Sequence, residues 1–352
     1  MESRDPLIRP LDIGGVRIPN NLVLAPMAGV ADGPFRLVCS RLGAGLTVSE
    51  LVSARGLLNE NGPTHDLVSF SGQPRPYAVQ IFGSDPALMA EAARRVEALG
   101  ICDIIDINMG CPVAKVVKTG AGAALMRDPA LAASIIRSVR AAVRLPVTVK
   151  CRIGWCKTQI HVREFVRMAV GEGAAAVAVH ARTKEAMYTG KAEWEHLAGL
   201  AEICGTVPFI ANGDLADREA LKRVHEISGC TGFMVGRPAI GKPWLFAELA
   251  GKPIADTPEA RHAIFLDHFL ETLMEHGSKG VPLFRVHLFA YLRNHPRAAA
   301  MRRRLCSEHD PVVVRDLGAE FYLNRRVPDW LDFGLLKEPM AYSSSSSSSS
   351  GL

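Results

Sequence analysis

The eight cysteines of this 352-residue chain, Cys39, Cys102, Cys111, Cys151, Cys156, Cys204, Cys230 and Cys306, include no C-x-x-C pair. That spacing speaks against a zinc site, an iron–sulfur cluster and a disulfide scaffold alike. No G-x-G-x-x-G follows the first strand-like run, LVLAPMA from Leu22, which disfavours an open dinucleotide-binding sheet. No stretch approaches a membrane span, and the opening MESRDPLIRP lacks the apolar core of a signal peptide. A reducing cytoplasm is the expected compartment, and no membrane partner is expected. Acidic residues are missing altogether between His276 and Ser307. The closing SSSSSSSSGL has too little complexity to join a core, so residues 339–352 are set apart as a disordered or artificial tail.

What is present reads as a globular protein with one large domain and a small one. The residues are 48% hydrophobic and 22% charged, and the formal charge of +5 permits an anionic partner without identifying it. Short apolar, β-branched runs begin at Leu22, Leu46, Tyr77, Ile104, Val147, Ala176, Val207 and Gly232. Each is nearly continuous in apolar residues, as a parallel strand covered on both faces should be. Helical stretches lie between them with explicit start signals: Asp85 before Pro86 and Asp128 before Pro129 place an N-cap acceptor ahead of a proline. Eight strands alternating with helices predict a (β/α)8 TIM barrel over residues 1–250. From about Arg261 the pattern is helical only, so a small C-terminal helical domain is expected over 251–338, after a linker near Gly251 to Pro258.

In such barrels the active site is built at the C-terminal ends of the strands. Those ends here carry Pro26, Met27 and Ala28, then Glu50, Gln80, Asn108 and Cys111. They continue with Lys150, Arg152, His180, Arg182, Asn212, Asp214, Gly236 and Arg237. Buried strands rarely hold this many amides and charges without a ligand to satisfy them. ANGD after the seventh strand and VGRP after the eighth stand where these barrels commonly grip a phosphate, with Arg237 for charge. Lys150 lies inside an apolar run, so its ammonium needs an anion. Arg152 reads equally as a structural ion pair or an RNA contact, and Glu50 as a tie for a neighbouring loop.

The motifs LAPMAGVADGPFR, AVQIFGSDP, DINMGCPVAKV, GAGAALMRDP, VTVKCRIGW, VHARTKEAMYTGKAEW, IANGDLAD and MVGRPAIGKPW occur in this order. In this the chain resembles the tRNA-dihydrouridine synthase family over about Ile13 to Phe246, and the bacterial B-type branch most. The resemblance implies a flavoprotein that reduces the C5=C6 bond of a tRNA uridine, one in the D-loop for the B-type branch, with FMN recharged by NADPH. It places Pro26, Met27 and Ala28 along the flavin ring, Gln80 at its pyrimidine edge and Lys150 at N1/O2, where a cation stabilises reduced FMN. It places His180 beside the flavin. Asn212, Gly213, Asp214, Gly236 and Arg237 fall at the ribityl and phosphate grip, Asn108 and Arg182 in the uracil pocket, and Cys111 at the catalytic acid. Two departures stand out: Ala181 where the family usually has glycine, and Val286 and Leu288 around His287 where an Arg-Lys-His run is usual.

Hydride delivery to C6 pushes charge onto C5 and O4, and a proton must reach C5 from the opposite face. A thiol, with an ordinary pKa near 8.5, is protonated at neutral pH yet able to release its proton. The acid-free stretch carries Lys279, Arg285, Arg293, Arg297, Arg302, Arg303 and Arg304, with Phe284, Phe289 and Tyr291 interleaved. It reads as a phosphate-tracking tRNA surface with aromatics for stacking, in which Arg285, Arg293 and Arg297 contact the substrate. Two alternatives stay open: an FMN barrel that oxidises or reduces a free pyrimidine, and a tRNA-folding protein without turnover. No metal is expected, and no oligomeric partner is required.

Overall fold

The computed structural model describes residues 7–59, 68, 70, 72–293 and 298–324. The chain divides into two compact units, Met1–Pro238 and a second beginning at Ala239. Within the first unit, strands β1 (Leu11–Ile13) and β2 (Val16–Ile18) form an antiparallel hairpin. Eight strands then make a parallel barrel: β3 (Leu22–Leu24), β4 (Leu46–Val48), β6 (Tyr77–Phe82), β7 (Ile104–Met109), β8 (Val147–Gly154), β9 (Ala176–Thr183), β10 (Phe209–Asn212) and β11 (Gly232–Val235). The sheet closes where β4 pairs with β6, Thr47 opposite Tyr77, and the two-residue β5 (Val52–Ser53) adds to β6.

Seven strands start where the apolar runs start. The seventh in the barrel begins at Phe209 rather than Val207. Pro208 supplies only a carbonyl, which accepts from Val177 N–H, and has no amide hydrogen to give the ladder. Both Asp-Pro starts behave as caps: the Asp85 carboxylate accepts from the backbone of Ala87 and Leu88, and Asp128 accepts from Leu131.

Chemistry at one end of the barrel requires the other end to be sealed. Leu11, Ile13 and Ile18 of the hairpin are buried against Val23, Leu46, Ile104, Ala176 and Ile210, near the N-terminal ends of their strands. The polar side chains of the interior therefore gather at the opposite, C-terminal end.

The second unit is helical. Its longest helix, Pro258–His276, starts three residues before the expected Arg261 because Thr257 caps it, accepting from Ala260 N–H ahead of Pro258. Gly280–Tyr291, Ala298–Leu305 and Pro311–Leu323 follow. Their core is aromatic: Phe265 lies 5.6 Å from Phe284 and 5.4 Å from Tyr291, ring centre to ring centre. Phe284 and Tyr291 are buried, so these two do not serve as the exposed stacking groups expected of the basic stretch. Among the described residues no helix is long and apolar enough to cross a membrane.

Candidate active site

Register decides which side chains meet at the barrel mouth. Gln80 stands opposite Asp106, Asp106 opposite Thr148, and Asn108 opposite Lys150. One layer further, Arg152 stands opposite His180, and His180 opposite Asn212. Partners across a parallel ladder share a face, so these residues form a continuous polar floor.

On one side of that floor, Asp106 Oδ2 accepts from Gln80 Nε2 at 2.6 Å and Oδ1 from Thr148 Oγ1 at 2.5 Å. Gln80 Oε1 accepts from Asn108 Nδ2 at 2.8 Å, and Asn108 Oδ1 accepts from the backbone N–H of Cys111 at 2.8 Å and of Gly110 at 3.2 Å. The far side of the Cys111 loop is held as well, since its carbonyl accepts from Ala123 N–H at 3.0 Å. Gly122, at φ +62°, permits that approach: a Cβ there would lie 2.8 Å from the same carbonyl. Burial pushes the Cys111 thiol up, against the lowering effects of the Val113 N–H, Arg152 and Lys150, so the sulfur is a protonated, half-buried acid at neutral pH.

Lys150 is 9% exposed, and burial followed by the neighbouring Arg152 lowers its pKa to about 8. Among the described residues its ammonium has no hydrogen-bond or salt-bridge partner. Arg152 resolves differently from both expectations. It is 2% exposed and gives its hydrogens to the carbonyls of Gly110, Thr183 and Met187 at 2.7–2.8 Å. Its role is to tie the loop after β7 to the end of β9 and the loop that follows it, neither pairing with a carboxylate among the described residues nor reaching outward.

The opposite side centres on Arg182 and Asp214. Arg182, 2% exposed, donates to both oxygens of Asp214 at 2.7 Å, to the carbonyls of Gly190 and Thr189, and to His180 Nε2 at 3.1 Å. These bonds commit its guanidinium to the protein, so it orders the pocket rather than lining it. Burial raises the Asp214 carboxyl, but the bonds from Arg182 and Ala192 N–H win and hold it below the usual range. His180 accepts through Nε2, and burial followed by four nearby cations keeps its imidazole neutral.

Asn212 donates to the Met234 carbonyl at 2.7 Å. Gly213 has φ +122°, and a Cβ there would stand 2.9 Å from Ala192 Cβ, so a side chain is excluded. Beside Gly236, Arg237 is half-exposed, donates to the Tyr188 carbonyl and stands 3.6 Å from Asp214. Pro26 and Met27 are half-buried and Ala28 exposed on the loop after β3, which Glu50 ties down by accepting from Gly29 N–H. This is the loop-tying place expected for Glu50.

Sequence reasoning missed two residues. Asp106 sits inside an apolar run and shows its importance only through its partners across the register. Tyr188 has the guanidinium carbons of Arg152 and Arg237 5.3 and 5.6 Å from its ring centre, and its only sequence signal is its place in the VHARTKEAMYTGKAEW motif. In the second unit Arg285 donates to the Glu308 carbonyl at 2.6 Å and is half-buried, while Lys279, Arg293 and Arg303 are exposed. Arg297 lies outside the described residues.

Two solved structures are similar in fold alone: histamine dehydrogenase from Rhizobium sp. 4-9 (14% identity, TM-score 0.55, 75% of this chain and 51% of that one) and a 2-naphthoyl-CoA reductase (13%, TM-score 0.54, 70% and 52%). The chain spans about half the length of each of these two proteins. Among curated relatives, tRNA-dihydrouridine synthase B of Pseudomonas aeruginosa is 42% identical over 322 residues, 89% of this chain and 96% of its own. A probable tRNA-dihydrouridine synthase of Rickettsia bellii is 38% identical over 321 residues, covering 89% and 98%. The family model for dihydrouridine synthase matches residues 23–320, and the chain belongs to the dihydrouridine synthase family.

Proposed function

We propose that this enzyme is an FMN-dependent, NADPH-driven tRNA-dihydrouridine synthase that reduces the C5=C6 bond of a D-loop uridine, with Cys111 as proton donor. The observation that carries the reading is the pairing, at one barrel mouth, of a protonated thiol on a pinned loop with a buried ammonium that has no hydrogen-bond or salt-bridge partner among the described residues. The donor set fits FMN. Lys150 would hold the electron-rich edge of the ring, neutral His180 would lie beside it, and Pro26, Met27 and Ala28 would flank it. Gln80 and Asn212 supply amides, and the Gly213 and Gly236 turns with Arg237 would take the ribityl and phosphate groups. Asp214 acts there indirectly, by orienting Arg182 and Arg237.

FMN, when bound, supplies the hydride for C6. Cys111 gives its proton to C5 from the loop after β7, and the raised thiol pKa keeps that proton available. Asn108 holds the loop and presents an amide to the uracil, with Arg182 ordering the neighbouring wall. We assign catalysis to the barrel (1–250) and RNA binding to the helical region (251–338). There, exposed Lys279, Arg293 and Arg303 supply phosphate contacts together with Arg285 and Arg297. Pulling the uridine out of the RNA stack costs a few kcal/mol, an amount such contacts offset. We place this enzyme in the cytoplasm, acting on tRNA, with no oligomeric partner required.

The test is the visible spectrum of the purified protein, with dihydrouridine measured in unmodified tRNA after NADPH is added. Wild type and Cys111→Ala are expected to share a flavin spectrum, and the variant to lose about 10²–10⁴-fold in rate. Bound flavin with reduction of free uracil or dihydroorotate but not tRNA would transfer the site to a free pyrimidine. A tRNA-folding activity that survives Cys111→Ala, without turnover in either protein, would favour the non-catalytic alternative.

A further inference from the structure

Between Asp106 and the Cys111 loop run two side-chain amides, Gln80 and Asn108, joined end to end by hydrogen bonds of 2.6, 2.8 and 2.8 Å. The two ends of this relay have opposite and fixed polarity. Both Asp106 oxygens accept here, and the backbone N–H groups of Gly110 and Cys111 only donate. An amide between them can be satisfied in one orientation alone. Asp106 takes the NH2 of Gln80, so the Gln80 oxygen must face Asn108. Asn108 must then answer with its own NH2, which turns its oxygen to the Cys111 and Gly110 N–H groups.

We propose that Asp106 is a positioning residue for the proton donor: it sets the orientation of Gln80 and Asn108 and thereby fixes where the Cys111 thiol stands. This rests on the reading of Cys111 as the acid. Asp106 itself is 4% exposed and two residues closer to the barrel floor than Asn108, so it acts through its neighbours and not on the substrate. Burying a carboxylate disfavours its charged form, and burial does push the Asp106 carboxyl up. Thr148 and Gln80 oppose that rise by hydrogen bonding, and the Lys150 ammonium opposes it by charge. With an apolar side chain at 106, the Gln80 NH2 loses its acceptor, and Gln80 is no longer held where its oxygen meets the Asn108 NH2. Asn108 then lacks the partner that steadies its own side chain, and its hold on the Cys111 and Gly110 N–H groups loosens.

The consequences separate positioning from folding. Asparagine at 106 can still accept from Gln80 with its oxygen while its NH2 donates to the Thr148 hydroxyl, so Asp106→Asn preserves the relay and Asp106→Ala does not. In the purified holoenzyme, iodoacetamide modification of Cys111 is followed by peptide mass spectrometry and normalised to exposed Cys306. Flavin reduction by NADPH and single-turnover transfer to tRNA uridine are measured on the same samples. Asp106→Ala is expected to raise the Cys111-to-Cys306 ratio about tenfold. It is also expected to slow uridine transfer about 10²-fold, the scale of a small misplacement of a reacting group, a larger loss than in flavin reduction, which Gln80 also touches. Asp106→Asn should stay within about threefold of wild type on every readout.

Asn108→Ala cuts the last link, leaves the Asp106–Gln80 bond in place, and decides the matter where Asp106→Ala does not fold; it too should raise the alkylation ratio. An unchanged ratio in the folded variants overturns the proposal, as does Asp106→Asn behaving like Asp106→Ala, which would make charge and not orientation the operative property. Retention of dihydrouridine synthesis by Cys111→Ala would overturn the proton-donor reading instead, and the alkylation comparison would still report on the relay.

Discussion

Replacing Lys150 by methionine should stabilise the flavin-free protein at neutral pH while destroying its usefulness. The lysine ammonium is buried at the barrel mouth, and burial with the adjacent Arg152 moves its pKa from an ordinary 10.5 to about 8. At about 1.4 kcal/mol per pKa unit, holding that charge costs the native state about 3 kcal/mol at pH 7. The sign follows from which state keeps the proton. Between about pH 8 and 10.5 the unfolded chain is still protonated while the native lysine is not, so stability rises with pH across that window. Below pH 8 the cost is present in full. Methionine has similar volume and no charge. It also removes the cation beside Asp106, whose carboxyl then rises further, so the expected net gain is about 1–3 kcal/mol. Thermal unfolding of the flavin-stripped proteins should show the variant several degrees more stable at pH 7, with the difference shrinking to less than about 1 kcal/mol at pH 10. With FMN restored, the wild type should retain the cofactor and the variant should not. A variant less stable than wild type at pH 7, or an advantage undiminished at pH 10, would refute the claim that an uncompensated buried charge is what FMN answers.

Three further outcomes follow from neighbouring groups. Arg182→Met should cost about 1–2 kcal/mol in denaturant unfolding, because Asp214, with 36% of its side chain open to screening water, keeps among the described residues only Ala192 N–H and the distant Arg237; Arg182→Lys should recover less than half of that. His180 is held well below its ordinary 6.5 by burial and nearby cations, so the unfolded chain takes up a proton below pH 6.5 that the native state refuses. Stability should therefore fall by up to about 1.4 kcal/mol per pH unit on acidification below 6.5, and His180→Gln should flatten that part of the urea-midpoint profile. Gly213→Ala forces a side chain into φ +122° and against Ala192, which should cost at least about 1–3 kcal/mol in backbone strain and lower both the unfolding temperature and FMN retention.

The eight barrel strands were legible because each is a nearly unbroken apolar run, and a doubly covered parallel strand leaves little other pattern to choose. Helix starts were legible where an acidic cap and a proline coincide, as at Asp85 and Asp128, and missed at Thr257, where the same device uses a hydroxyl. Cys111 and Lys150 stood out because a thiol after a strand end and a lysine within an apolar run both break their local context.

The remaining site residues are decided by partners far away in sequence. Asp106 meets Gln80 across 26 positions and Thr148 across 42, and nothing within its own strand distinguishes a relay anchor from a solvated acid. Arg152 and Arg182 look like ligands for an anion in any linear reading. Their hydrogens go instead to the protein: the carbonyls of Gly110, Thr183 and Met187 for the first, and Asp214, His180 and the carbonyls of Thr189 and Gly190 for the second. The same rule explains the helical unit. The helices of that unit must find a core, and Phe284 and Tyr291 fill it against Phe265, so those rings are not among its exposed groups. An arginine or aromatic at a strand end or on a basic helix is thus read as a ligand contact only after the backbone and core have taken their share. Lys150 passes that test within the described residues, and the two buried arginines do not.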